Sequence, residues 1–187
     1  MGFQEILGDR IFTVEGVLNE DECWALIEEA EMHGFEMPDV HTEDGVGVVH
    51  AFRNHMRAMF NSPTWTQVLM ARLDDHLPAG LWGNDPTGLN TLLRIQHYRV
   101  DEHFSLHTDG AYHDQESGDV SQLTLLVYLN DGFEGGETCF TLEDGEQIWV
   151  EPESGQALLF EHDIEHEGCA VLSGEKYVLR TDVMYPT

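Results

Sequence analysis

His107, Asp109 and His166 are the residues whose types and order suit a redox metal. Two imidazoles and one carboxylate make a facial triad that leaves three adjacent positions of an octahedral ion open. That ligand set suits ferrous iron. The first pair lies in the run His-Thr-Asp, and His166 sits far along the chain in Glu-His-Glu-Gly. Ten residues further comes Lys176, the only lysine present, and a lone ammonium near such a site is an anchor for an anionic co-substrate. Taken alone His-x-Asp is a weak signal, because eleven histidines in an acid-rich chain produce such neighbours by chance.

Strands must carry these groups. Past Asn90 the sequence breaks into short extended runs at Leu92–Tyr98, Phe104–His107, Leu123–Leu129, Thr138–Leu142, Gln147–Val150, Ala157–Glu161 and Lys176–Tyr185. Turn signals such as Asn130-Asp-Gly, Glu134-Gly-Gly and Ser154-Gly separate them, a spacing expected of a sandwich or barrel. Residues two apart on a strand share a face. His107 and Asp109 can therefore turn inward together, Lys176 shares a side with Val178, Arg180 and Asp182, and Tyr98 shares one with Gln96 and Arg94. Ala157–Glu161 can return His166 to the same mouth.

The first half reads as helical after a short strand at Ile11–Val14. Asn19 is an N-cap with Glu22 completing a box, followed by an apolar stripe of Cys23, Leu26, Ile27 and Ala30, and Gly34 ends the helix. A second helix is expected from His50 to Phe60. A third starts at Ser62-Pro63, buries Trp65, Val68, Leu69, Leu73 and Leu77, and stops at Pro78. Residues 36–49 read as a loop, with Val46–Val49 open to a short strand. The predicted fold is mainly β with supporting helices, in one domain over 1–187. Helical support over 1–90 packs on a double-stranded β-helix (jelly-roll) core over 91–187.

Composition narrows the function classes. At 187 residues and 41% apolar, the chain can build a real core. It carries 36 acidic against 8 basic residues, a formal net charge of −28, spread through the sequence and not gathered in a tail. Such a surface looks built for high salt, where screening removes most self-repulsion. No basic patch exists to displace counterions, so nucleic acid and anionic membranes are poor partners. The cysteines Cys23, Cys139 and Cys169 are odd in number and lack zinc spacing, which fits reduced thiols. The N-terminal residues lack a signal-peptide pattern, and a cytoplasmic location is expected.

From Leu92 to Tyr185 the sequence resembles the prolyl 4-hydroxylase-type branch of the iron(II)/2-oxoglutarate-dependent oxygenases. The segments that carry the likeness are RIQHYRVDEHFSLHTDG, LTLLVYLNDGFEGGETCF, PESGQALLFEHDIEHEG and VLSGEKYVLRTDVMY, in matching order and spacing. The resemblance implies Fe(II) held by His107, Asp109 and His166, which would be the catalytic centre. It implies 2-oxoglutarate and O2 as co-substrates, with ascorbate as a candidate reductant. Lys176 would hold the far carboxylate of 2-oxoglutarate, Tyr98 would hydrogen-bond it, and Arg180 is the reserve for that grip, open equally to pairing with Asp182. The implied reaction hydroxylates a C–H bond of a peptide residue, prolyl included, or of a small molecule, releasing succinate and CO2. The alternative is a non-catalytic jelly-roll metal- or ligand-binding protein such as a sensor. Nucleic-acid demethylation by the same chemistry conflicts with the charge.

Other polar residues have blander readings. His97, His103, His113 and His162 are expected at the surface or behind the site. Gly135-Gly136 is a turn and not a phosphate loop. Trp82 and Trp149 are read as packing or as walls of the substrate mouth. Arg53 and Arg57 share one face of the predicted second helix, within reach of a substrate carboxylate or of a solvated ion pair. Loops 36–49, 83–90 and 110–120 are expected to be mobile lids that shape access.

Overall fold

The computed structural model describes residues 2–38, 40–42, 45–47, 52–80 and 83–187. Among the described residues, two main sheets pack with two helices, and two small two-stranded sheets, Glu134–Gly135 with Val171–Ser173 and Val40–Thr42 with Gly45–Gly47, lie beside them. The large sheet runs in the order Phe3–Glu5, Ile11–Val14, Ala157–Glu161, Val120–Tyr128, Lys176–Tyr185, Leu92–Tyr98, Met56–Asn61, with Gly88–Leu89 paired to the end of Lys176–Tyr185. The smaller sheet is Gln147–Val150, Thr138–Thr141, Glu165–Gly168, Phe104–His107. Every pairing within these two sheets is antiparallel. This is the expected mainly β, jelly-roll-like architecture with helical support.

Alternation along the large sheet sorts its side chains into two cores. Leu123, Leu125, Val127, Leu159, Leu179, Leu93 and Ile95 face the helices and meet Leu26, Ile27, Leu69 and Leu73. Their neighbours Leu126, Tyr128, Leu158, Phe160 and Val178 face the small sheet and pack on Phe140, Val150 and Ile164. All nine residues of Val120–Tyr128 are consequently buried, as expected for a strand covered on both faces. Burial of two apolar faces fixes the register, since a one-residue slip would exchange the two sets.

The first helix, Glu20–His33, starts as its sequence dictates. The Asn19 side chain accepts from Glu22 N at 3.0 Å and Glu22 Oε2 accepts from Asn19 N at 2.9 Å, while Cys23, Leu26, Ile27 and Ala30 are buried. Ser62 caps the other helix, Pro63–Leu73, which continues as a 3₁₀ turn over Asp74–His76. Its buried face includes Thr66, whose hydroxyl donates to Ser62 O, a packing polar group the apolar stripe did not reveal.

Two expectations need correction. The helix expected over 50–60 is instead strand Met56–Asn61, where Ala58 and Phe60 face the helical core and Met59 is exposed. Pairing with Leu92–Tyr98 overrides local helix preference there. Residues 48–51 lie outside the described residues. The first 90 residues thus contribute strands to the large sheet as well as helices. Glu165–Gly168 is also a strand, a stretch assigned no element from its sequence. Among the described residues no helix is long and apolar enough to cross a membrane.

Gly155 joins the helical layer to the sheet. Its carbonyl accepts from Val17 N and Leu18 N, its φ is +78°, and a Cβ would stand 2.0 Å from Leu18 O. Gly155→Ala is therefore expected to cost about 2–5 kcal/mol, combining backbone strain with overpacking. Urea unfolding monitored by circular dichroism measures it.

Candidate metal centre and adjoining pocket

His107 closes strand Phe104–His107, and His166 lies directly opposite it on Glu165–Gly168. Asp109 follows two residues after His107, tied back by its N–H to His162 O at 2.9 Å. His107 Nε2 lies 3.8 Å from Asp109 Oδ1, and His166 Nε2 lies 3.7 Å from Asp109 Oδ2. Donor atoms of all three residues fall within 4.8 Å of one another, and no other such group of three converges among the described residues.

The hydrogen bonds behind these rings decide their tautomers. His107 Nδ1 is 2.8 Å from Ser105 O and His166 Nδ1 is 2.9 Å from Ile164 O. A carbonyl oxygen only accepts, so each Nδ1 carries the proton and each Nε2 offers a lone pair to the shared centre. Burial and the facing imidazole lower the His107 pKa to about 4, and burial lowers that of His166. Burial would push the Asp109 carboxyl up, but Arg180, His166 and the Thr124 hydroxyl outweigh it and hold it well below the usual carboxylate range. Two neutral imidazoles and an ionised carboxylate are the protonation state a divalent cation requires.

A relay holds Asp109 from behind. Thr124 Oγ1 donates to Asp109 Oδ2 at 2.6 Å and lies 2.9 Å from His162 Nδ1, while His162 Nε2 lies 2.8 Å from Ser121 Oγ. Since the Thr124 proton goes to Asp109, His162 Nδ1 must donate to Thr124, and Ser121 then donates to His162 Nε2. His162 is thus buried and fully bonded behind Asp109, the second of the two placements its sequence allowed. Thr124→Val keeps the shape and deletes the relay. It is expected to weaken iron binding about 10–100-fold, the usual cost of losing an outer partner, as measured by chelator competition.

Arg180 flanks the same carboxylate, with Nη2 at 2.9 Å from Asp109 Oδ1 and 3.4 Å from Asp182 Oδ1. Asp182 is shared with Arg94 at 3.2 Å. The arginine read as a reserve grip is therefore engaged by two acids.

One cavity, partly open to solvent, runs from the triad along the inner face of the large sheet. Lys176 lines it and is only 3% exposed. Its Nζ donates to Gly136 O at 2.6 Å and lies 5.1 Å and 5.5 Å from the ring centres of Tyr98 and Tyr128. Burial lowers its pKa to about 8. Tyr98 is the direct cross-strand partner of Lys176, and its hydroxyl donates to Gln96 Oε1 at 3.0 Å. Thr138, Leu126 and Val178 complete this end. All six residues singled out by sequence — His107, Asp109, His166, Lys176, Tyr98 and Arg180 — line this one cavity.

Arg53, Arg57 and Gln96 line it as well, whereas Arg94 serves Asp182. His55, on which no sequence signal fell, is completely buried against the Tyr98 ring at 4.1 Å. Trp149 is 55% exposed on the small sheet and does not line this cavity, and Trp82 lies outside the described residues. His97 is buried on Tyr177 and pairs with Glu175, and His113 is exposed. No residue of 83–90 or 110–120 lines the cavity.

Comparison with known proteins follows the same lines. The model of the 2OG-Fe(II) oxygenase superfamily matches residues 93–181, a span that contains all six of those residues. The chain is 27% identical over 195 residues to probable prolyl 4-hydroxylase 7 of Arabidopsis thaliana, covering 90% of this chain and 60% of that protein. It is also 27% identical to prolyl 4-hydroxylase 1 of the same plant, covering 90% and 66%. The chain thus spans less than two thirds of the length of these curated relatives. Among solved structures, a Pseudomonas putida prolyl-4-hydroxylase matches with TM-score 0.65 at 17% identity, over 95% of this chain and 93% of that one. A Trichoplax adhaerens prolyl hydroxylase, solved with a hypoxia inducible factor oxygen degradation domain peptide fragment, matches with TM-score 0.70 at 15% identity, over 95% and 84%. At such identities the solved structures speak for the fold.

Proposed function

We propose that this chain, which belongs to the 2OG-Fe(II) oxygenase superfamily through residues 93–181, is a hydroxylase that binds ferrous iron through His107, Asp109 and His166. The observation that carries this reading is the meeting of two Nε2 lone pairs and an ionised carboxylate in a cavity that also holds the sole lysine. Iron bound there with 2-oxoglutarate and O2 supplies the oxidation of an unactivated C–H bond, with succinate and CO2 as co-products. Lys176 would hold the distal carboxylate of 2-oxoglutarate, with the Tyr98 ring beneath its ammonium. Leu126 and Val178 exclude water from that end, which strengthens the charge pairing. Arg180 keeps Asp109 ionised and oriented. The substrate would be a peptide residue, prolyl included, or a small molecule.

The test is iron-dependent formation of succinate from 2-oxoglutarate, with ascorbate present as reductant, and a mass gain of one oxygen on the accepted substrate. Binding of iron and 2-oxoglutarate without any succinate would return the chain to the non-catalytic reading.

A further inference from the structure

Half of the basic side chains in this acidic protein line one cavity: Arg53, Arg57, Lys176 and Arg180. Asp109 is the one carboxylate among the lining residues. In the proposed function the dianion of 2-oxoglutarate offsets the charge of ferrous iron, so the walls of the loaded cavity keep a surplus of basic side chains, of which Arg180 is already held by Asp109 and Asp182. A cavity with this field, in a chain of net charge −28, concentrates anions.

Arg53 accounts for that surplus most directly. Arg10, Arg72, Arg94 and Arg180 each hold at least one carboxylate. Arg53 is more buried than most of these, at 9% exposure, yet pairs with no carboxylate among the described residues. Its Nε and Nη2 instead meet His55 Nε2 at 3.2 and 3.1 Å, and its guanidinium lies 4.4 Å over the Phe104 ring. Burial lowers the pKa of Arg53 to about 10 and that of His55 to about 2, so the histidine is a neutral acceptor. Nη1 is left without a hydrogen-bond partner among the described residues. A buried guanidinium without a counter-charge is costly. Among the described residues no acid offsets that cost, and Arg53 stands on a cavity wall, where an incoming anion would relieve it. Phe104 in turn stacks on His107 at 3.7 Å, so the cation is one aromatic ring away from a triad imidazole.

We propose that Arg53, with Arg57 beside it on the same wall, binds a free carboxylate of the substrate, and that the substrate is a compact carboxylic acid or the carboxyl end of a peptide. This rests on the oxygenase reading above and narrows it, because an internal residue of a neutral peptide would leave Arg53 unmatched. A guanidinium edge and a carboxylate make two parallel hydrogen bonds, so an amide of the same shape is a poor replacement.

The experiment loads the protein with iron(II) and 2-oxoglutarate under argon and titrates it calorimetrically. The ligands are a panel of N-acetyl-L-amino acids, their primary amides, and acetylated tetrapeptides with free C-termini. Acids are expected to bind at least about tenfold more tightly than matched amides, the value of one charge-assisted hydrogen bond. Whether the short acids or the tetrapeptides bind identifies the source of the carboxylate. Arg53→Gln is expected to abolish the acid preference and Arg53→Lys to restore part of it, with Arg57→Gln reducing it. Equal binding of acid and amide by the wild-type protein overturns the proposal, with no variant needed. So does an acid preference that persists in Arg53→Gln, or an Arg53→Gln protein whose only loss is 2-oxoglutarate binding. The underlying oxygenase reading is checked separately in the wild type, by iron-dependent succinate formation without added substrate.

Discussion

His166→Ala is expected to weaken iron(II) binding by more than about a hundredfold and to abolish 2-oxoglutarate turnover, with His107→Ala and Asp109→Ala doing the same. Removing an outer partner already costs 10–100-fold, and a ligand contributes more directly than its support. The two histidines are interchangeable in chemistry: each presents Nε2 because its Nδ1 donates to a backbone carbonyl. His→Gln offers no equivalent lone pair in a fixed direction and should not rescue. Asp109→Ala carries a second penalty, since Arg180 would lose one of its two acids in a site where it is 17% exposed. Anaerobic titration of iron against a chelator, beside thermal melts of the metal-free proteins, separates lost ligation from lost folding. A His166→Ala protein that kept wild-type iron affinity would sink the triad.

Lys176→Met is expected to raise the KM for 2-oxoglutarate about 10–100-fold, the worth of a hydrogen bond to a charged group in a dry site, while leaving the free protein as stable as before or more so. The two effects have one origin. Lys176 is 3% exposed and, among the described residues, hydrogen-bonds Gly136 O and pairs with no carboxylate, so the ammonium is held without a counter-charge there until an anion arrives. Lowering its pKa from 10.5 to about 8 corresponds to roughly 3 kcal/mol spent keeping it charged at neutral pH. Methionine of similar length removes that cost together with the grip.

The pH dependence follows with a definite sign. The folded pKa lies below the unfolded one, so between about pH 8 and 10.5 the unfolded chain binds more protons. The stability of the free protein should therefore rise with pH across that window. Affinity for 2-oxoglutarate should move oppositely, falling about tenfold per pH unit above 8 as the ammonium is lost. In Lys176→Met both dependences should flatten. Calorimetric titration at several pH values reads both proteins. Unchanged affinity between pH 7.5 and 9.5 in the wild type would assign the carboxylate grip elsewhere.

Much of the site was legible because its logic is local. Strands Leu92–Tyr98, Phe104–His107, Gln147–Val150, Ala157–Glu161 and Lys176–Tyr185 have the bounds their alternation and turn residues indicated. Parity along them placed Tyr98, Gln96, Lys176 and Arg180 on one wall. The capping box at Asn19 is equally local. Glu165–Gly168 escaped because Glu-His-Glu-Gly has no alternating apolar pattern, and only its two neighbours make it a strand. Met56–Asn61 escaped for a similar reason: the i, i+4 arginines suited a helix until pairing with Leu92–Tyr98 set a period of two.

The amino-acid sequence by itself determined the ligand types, their order, the single lysine and which face of each strand these residues occupy, since such properties depend on residue chemistry and on periods of two or 3.6. Tertiary structure decided everything that depends on proximity between distant segments. It made His162 a buried support for Asp109 through Thr124 and committed Arg180 to Asp109 and Asp182. It left Arg53 buried on a cavity wall without an acid among the described residues. Whether a charge is matched, and whether a hydroxyl faces a ligand or the solvent, depends on distances of a few ångströms between residues tens of positions apart, and those distances exist only once the two sheets have closed on each other.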